Sequence, residues 1–393
     1  MKKAIKSSKI YTKNAIFDGY IVIEGKKIID ICHLLSDDIY HVEDYHDSMI
    51  IPGIIDIHNH GYGGYSVTDE INYDQVQGYS KALASVGVTS VLATAKLEAF
   101  ANIAKVIKQR QFAGTKILGI HSEGPFWARG GENTVGETWP TPDVELTKKY
   151  IDEANGTLKM MAIAPELPNA YDVMKLLHQK GIKVAACHTK ASADQIIKAN
   201  QEIGIDDVTH LCNGMNGIHH RNMGALGGFL ELTNVYYELI CDLNHVCKEM
   251  IEILLKILPF NKIMLISDSN YIAGLPCGVY ERYGREMTLQ ANGLIKDNNG
   301  RICGSGKPVL YDMKQLVTKL GLPLQQVIRF ASANPAAFLG ISEETGEISI
   351  NKLADIVVIN EDFEVQATYI EGTKKYTLGD DVIGKEALNR KLR

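Results

Sequence analysis

The rhythm of apolar and polar positions changes at residue 50 of this chain. Before it, β-branched residues recur with the spacing of strands. The stretch Ile21-Val22-Ile23-Glu24-Gly25-Lys26-Lys27-Ile28-Ile29-Asp30 holds two such runs about a glycine-containing turn, which predicts a hairpin. From Ile50 onward, apolar runs of strand length alternate with amphipathic stretches of helical period. Strands are predicted over 50–57, 88–95, 116–121, 157–164, 183–188, 207–211, 235–242 and 262–268, and helices over 73–86, 96–111, 144–154, 169–180, 192–203 and 246–258. Eight strands separated by helices require a parallel sheet with its faces covered. The count is that of an α/β protein built as a (β/α)8 TIM-type barrel.

A barrel of this kind carries its chemistry where the strands end and the βα loops begin. Those positions hold His58 and His60 after the first strand, Glu123 after the third, His188 at the fifth, His210 at the sixth and Asp268 at the eighth. In the run Ile50-Ile51-Pro52-Gly53-Ile54-Ile55-Asp56-Ile57-His58-Asn59-His60 the two histidines stand two positions apart, on one side of the pleat, so both imidazoles can reach one point. Taken alone, the pair reads equally as polar residues opening a glycine-rich loop. Four of the 12 histidines lie at strand ends together with two carboxylates, which favours one site holding a divalent metal such as Zn, Fe, Co, Mn or Ni.

Composition narrows the function class. Lysine and arginine number 41 against 47 acidic residues, a net charge of −6 with no basic block, which argues against nucleic acid or anionic membrane as partners. The seven cysteines are scattered, odd in number and form no CxxC pair, the usage of a reducing compartment. With no apolar leader after Met1-Lys2-Lys3 and no apolar run of bilayer-spanning length, a cytoplasmic location is expected.

The residues around these strand ends resemble a known family. The run from Pro52 to Gly61 is similar to the first-strand motif of the amidohydrolase superfamily. His121-Ser122-Glu123-Gly124-Pro125-Phe126, Thr209-His210-Leu211-Cys212-Asn213-Gly214-Met215 and Leu265-Ile266-Ser267-Asp268-Ser269 resemble its N-acetylglucosamine-6-phosphate deacetylase branch. Ala333-Asn334-Pro335-Ala336, Gly346-Glu347-Ile348 and Ala354-Asp355-Ile356-Val357-Val358 resemble that family's return to a small β domain. The resemblance implies a catalytic barrel over 50–347 and a small β-sandwich domain assembled from both chain ends, 1–49 and 348–393. It further implies a metal-dependent deacetylase of N-acetyl amino-sugar phosphates, in which Glu123, His188 and His210 hold the principal metal. Some members lack the paired first-strand histidines and bind one metal. This chain has them, so a second metal at His58 and His60 bridged by Glu123 is expected, with zinc the first choice.

The chemistry of amide hydrolysis agrees. A metal polarises the carbonyl and acidifies a water, and Asp268 is placed to take that proton and pass it to the leaving amine, unless it serves only to pair with a ligand histidine. Backbone N–H groups at Asn213-Gly214 can face a phosphate. By resemblance, Arg221 contacts the sugar phosphate across a homodimer interface and His245 contacts the substrate. The competing reading of Arg221 is a solvated surface charge and that of His245 a helix cap, and His219 and His220 receive no role. Three stretches depart from the family pattern: 127–142 lacks its histidine, Asn213-Gly214-Met215 replaces Asn-Ala-Met, and Ser269-Asn270-Tyr271-Ile272 lacks its usual small residues. Amide hydrolysis is thus better supported than one sugar epimer. N-acetylgalactosamine 6-phosphate, a cyclic amide or a deaminase substrate stay open, and a non-catalytic barrel scaffold is the most distant reading.

Overall fold

The structure, a computed structural model, describes residues 2–36, 41–68, 71–131, 134, 136–282, 284–384 and 390–391. Glu132, Asn133 and Val135 of the divergent 127–142 segment lie outside the described residues.

The run expected as a single first strand is two, cut at Gly53. Met49–Pro52 pairs antiparallel with Ile356–Ile359, Ile51 opposite Val357, in a sheet outside the barrel. Ile54–Asn59 (β1) enters the barrel. The crossing needs glycine, because a Cβ at residue 53 would lie 2.1 Å from Thr89 Oγ1. A uniformly apolar run does not betray such a break, since both halves are buried.

After β1 the parallel strands are β2 (Val88–Thr94), β3 (Lys116–Phe126), β4 (Leu158–Ile163), β5 (Lys183–Ala186), β6 (Asp207–Val208), β7 (Tyr236–Leu239) and β8 (Ile263–Leu265), hydrogen-bonded in chain order. The ends of β8 and β1 close the ring: Asp268 N–H donates to His58 O at 2.9 Å and His60 N–H to Ser269 O at 2.9 Å. Ile55, Ile57, Leu92, Met160, Ala162, Ala185 and Met264 form a core distinct from the helix-facing one, as the alternation of strand faces requires.

The covering helices are α1 (Tyr73–Ala84), α2 (Leu97–Gln109), α3 (Val144–Glu153), α4 (Ala170–Gln179), α5 (Ala193–Glu202), α6 (Gly224–Leu230), α7 (Lys248–Ile257) and α8 (Val309–Thr318). Capping boxes start α1 at Asn72 with Gln75 and α5 at Ser192 with Gln195. The sequence pattern does not announce α6, whose Gly-Ala-Leu-Gly-Gly-Phe-Leu carries three glycines in seven residues; it is buried along nearly its whole length, and packing overrides propensity. Among the described residues no helix is long and apolar enough to cross a membrane.

Between β8 and α8 the chain inserts an antiparallel meander, Gly278–Arg282, Arg285–Leu289, Leu294–Asp297 and Ile302–Ser305. Its strands are short and charged, with a core of few residues such as Tyr280, Leu289 and Ile295, so hydrophobic periodicity is faint there. Its last strand reaches the barrel mouth, where Ser305 N–H donates to Asp268 O at 2.9 Å.

The two chain ends share one further sheet. Lys3–Tyr11 pairs with Ile16–Glu24 on one edge and with both His41–Asp44 and Met49–Pro52 on the other. Ile356–Ile359, Val365–Ile370 and Thr373–Thr377 continue beyond Met49–Pro52. Ile21, Ile23 and Ile28 from one arm pack in a common core with Ile356, Val358 and Ala367 from the other.

Candidate active site

Three of the strand-end residues sit on backbone turned against its normal hand. His188, His210 and Asp268 have φ of 43°, 33° and 46°. Left-handed backbone at a non-glycine residue costs on the order of 1 kcal/mol or more and persists where surrounding structure enforces it. Here it turns each side chain back over the barrel mouth.

Two groups of donor atoms result, joined by one carboxylate. Glu123 Oε1 is 3.0 Å from His188 Nε2 and 3.0 Å from His210 Nε2, which are 3.3 Å from each other. Glu123 Oε2 is 3.2 Å from His60 Nε2 and 3.8 Å from His58 Nε2, and Asp268 Oδ1 is 3.2 Å and 3.5 Å from the same two nitrogens. Cations with bonds of about 2.0–2.1 Å in tetrahedral geometry hold their ligand atoms about 3.3 Å apart. Both groups have that spacing and a nitrogen-and-oxygen donor set suited to zinc and its neighbours. Glu123, His188 and His210 could hold one metal; His58, His60 and Asp268 could hold another, with Glu123 facing both.

The electrostatics point the same way. Burial opposes ionisation of Glu123, yet hydrogen bonds from His188, His210, His58 and His60 outweigh it and hold the carboxyl well below the usual range. Burial likewise opposes charge on His58, but the Glu238 and Asp268 carboxylates raise its pKa well above the ordinary value. On His60, burial is overcome by Asp268 and Glu123, which lift it to about 9. Asp268 is held low despite its burial by the charges on His58 and His60. The carboxylates therefore demand positive charge, which protons on the imidazoles or a bound cation can supply.

Around this centre Trp127, from the divergent segment, stacks on His188 with ring centroids 4.0 Å apart and planes at 28°. Arg129 Nη1 donates to Asn216 Oδ1 at 3.0 Å, tying that segment to the loop after β6.

The residues expected to bind substrate are placed unevenly. Asn213 closes the turn after β6, its backbone N–H 2.9 Å and its Nδ2 3.2 Å from His210 O. Gly214, with φ of 62°, lies so close beneath the His188 ring that a Cβ would stand 2.7 Å from its Nδ1. The His245 side chain is only 3% exposed, with Nδ1 2.8 Å from Asp242 Oδ2 and Nε2 without a partner among the described residues. It does not cap a helix, since the N-cap of α7 is Cys247. Arg221 stands apart on the exposed 219–222 turn, Nη1 2.5 Å from His220 Nε2, and no hydrogen bond or ion pair among the described residues joins it to the metal-type ligands.

Three buried residues at the centre went unassigned in the sequence. Glu238 on β7 accepts from His58 Nδ1 at 2.9 Å. His121 on β3 packs edge-on against His58 at 4.6 Å. Asp56 on β1 accepts from Ser267 Oγ at 2.6 Å and Asn59 Nδ2 at 3.0 Å, linking β1 to the end of β8. The available signal was a carboxylate inside an apolar strand: Tyr236-Tyr237-Glu238-Leu239 has no reason to bury a charge unless something there needs it.

Comparison with known proteins bears on this geometry. Residues 49–375 match the Amidohydrolase family. The chain is 30% identical over 383 residues to the N-acetylglucosamine-6-phosphate deacetylase of Bacillus subtilis (strain 168), covering 94% of this chain and 96% of that protein. It is 29% identical over 331 residues to the N-acetylgalactosamine-6-phosphate deacetylase of Escherichia coli O157:H7, covering 82% and 87% respectively. The crystal structure of N-acetylglucosamine-6-phosphate deacetylase from Pasteurella multocida superposes with a TM-score of 0.86 at 25% identity, over 95% of this chain and 99% of that one.

Proposed function

From the premise that the chain belongs to the Amidohydrolase family and is a hydrolase of amide bonds, we propose that it deacetylates an N-acetyl amino-sugar phosphate, converting N-acetylglucosamine 6-phosphate to glucosamine 6-phosphate and acetate. The observation that carries this reading is Glu123, whose two oxygens each face a separate pair of imidazoles at the mouth of the barrel. Glu123, His188 and His210 would hold the principal cation, and His58 and His60 would hold a second. Zinc suits these donors best, and Fe, Co, Mn and Ni are accommodated by the same set. When bound, such a cation supplies Lewis acidity, polarising an amide carbonyl and making water acidic enough to lose a proton near neutral pH.

The protein's own groups do the rest. Asp268, kept ionised by the imidazoles beside it, accepts the proton of the attacking water and delivers it to the nitrogen as the C–N bond breaks. Trp127 covers one face of His188 and excludes water from that side. His245, oriented by Asp242, directs its Nε2 to the substrate. Asn213 and Gly214 shape the phosphate end. Arg221 has an exposed position compatible with reaching the neighbouring active site of a homodimer, where its planar fork pairs with phosphate. The enzyme works in the cytoplasm on a small soluble substrate.

A second epimer is favoured by one observation. The E. coli relative named for N-acetylgalactosamine 6-phosphate is nearly as similar as those named for the glucosamine compound, and the 127–142 segment departs from the expected pattern beside the sugar. The test is kcat/KM of metal-reconstituted protein on N-acetylglucosamine, N-acetylgalactosamine and N-acetylmannosamine 6-phosphates, run beside hydantoin and dihydroorotate. Turnover of one hexosamine phosphate at about 10⁴ M⁻¹s⁻¹ or above is expected. Turnover confined to the cyclic amides would overturn the proposal.

A further inference from the structure

Glu238 lies on β7, its side chain fully buried beneath the metal-type ligands. A single one of its oxygens serves both halves of the site: Oε2 accepts from His58 Nδ1 at 2.9 Å and from the backbone N–H of His210 at 3.0 Å. Its backbone takes a further bond, as Leu211 N–H donates to Glu238 O at 2.9 Å.

Each bond has a consequence for a ligand. A carboxylate can only accept from His58 Nδ1, so the proton resides there and the ring's lone pair is left on Nε2, the atom facing Glu123 Oε2 and Asp268 Oδ1. His121, edge-on at 4.6 Å and 85°, limits rotation of the same ring. At His210 the two bonds fix the backbone N–H groups of residues 210 and 211, support the left-handed φ of 33° at His210, and so aim Nε2 at Glu123 Oε1.

We infer that Glu238 is a positioning residue that makes the His58 and His60 side a cation site and keeps it in register with the Glu123, His188 and His210 side. This rests on the two-cation reading given above. It adds that occupancy of the second site depends on an anionic acceptor lying on a different strand, 180 positions away in sequence. A charged acceptor raises the basicity of a ligand imidazole, and loss of such a partner weakens metal affinity by about 10–100-fold.

The experiment strips the full-length protein of metal, titrates it with Zn²⁺ against a competing chelator, and measures bound metal by elemental analysis after desalting. Wild type, Glu238→Gln, Glu238→Ala and His60→Ala are compared. The wild type is expected to bind two equivalents and His60→Ala one. In Glu238→Gln the amide oxygen still accepts both hydrogen bonds, so the first cation stays tight while the Kd of the second rises by about 10–100-fold. Glu238→Ala loses the second cation and weakens the first. Second-cation affinity in Glu238→Gln equal to wild type overturns the inference whether or not Glu238→Ala folds, and leaves the deacetylase reading standing. A wild type that binds only one cation also overturns it. A wild type that binds none defeats the inference together with the reading it rests on.

Discussion

Replacing Gly214 by alanine separates two roles that its position combines. The residue has φ of 62°, and an added Cβ would lie 2.7 Å from His188 Nδ1, 3.1 Å from its Cε1 and 3.4 Å from its Cγ. The backbone part costs about 1 kcal/mol, the usual penalty for an alanine in left-handed conformation. The steric part is more specific, because carbon and nitrogen cannot approach within 3.0 Å and one must give way by several tenths of an ångström. His188 is also stacked on Trp127 at 4.0 Å, which restricts its escape, so its ring tilts and Nε2 leaves its place 3.0 Å from Glu123 Oε1. Gly181→Ala is the control, since Gly181 has φ of 69° with nothing within 4 Å of the added carbon. It pays the backbone cost alone, a fall in Tm of about 2 °C. For Gly214→Ala we expect a larger fall in Tm, metal affinity at the Glu123 side weakened by about 10–100-fold, and kcat/KM lower by about 10²-fold. The assays are differential scanning calorimetry, chelator competition and steady-state turnover of N-acetylglucosamine 6-phosphate. Wild-type metal affinity and turnover in Gly214→Ala, with a Tm change no greater than in Gly181→Ala, would refute the reasoning.

Asp268→Asn should keep the cation at Glu123, His188 and His210 while kcat drops by about 10²-fold or more, and a variant with near wild-type kcat would remove Asp268 from the proton transfer. Arg221→Ala should raise KM for a phosphorylated sugar far more than for its unphosphorylated analogue; equal changes on both would reject the phosphate role. Exhaustive chelation should abolish turnover, and Zn²⁺ or another divalent cation should restore it. Full activity that survives in metal-free protein, verified by elemental analysis, would rule out a catalytic metal.

Much of the candidate site is legible in the sequence because barrel chemistry gathers at strand ends, and strand ends can be read from the pattern of apolar runs. His58, His60, Glu123, His188, His210 and Asp268 come from separate points of the chain, yet each follows an apolar run, and their donor atoms meet in two adjoining groups. The meander over 278–305 leaves little trace in the apolar pattern because its short strands bury few residues, although it supplies Ser305 to brace Asp268. Gly214 shows a different limit. A glycine beside a strand end does not announce what lies against it, and in the folded chain that is the His188 ring.

The sequence by itself determined the repeat of strand and helix, the sign and spread of charge, and which side chains able to bind a cation lie at the ends of buried runs. These are local properties, written in the period of apolar residues along a few turns or pleats. Only the tertiary structure decided that Met49–Pro52 and Ile54–Asn59 part company at Gly53, that Glu238 takes hold of both His58 and His210, and that Glu123 faces two ligand pairs at once. Those relations depend on closure of the ring between β8 and β1 and on backbone turned left-handed at His188, His210 and Asp268. Neither leaves a periodic trace, because each is enforced by contacts between residues far apart in the chain.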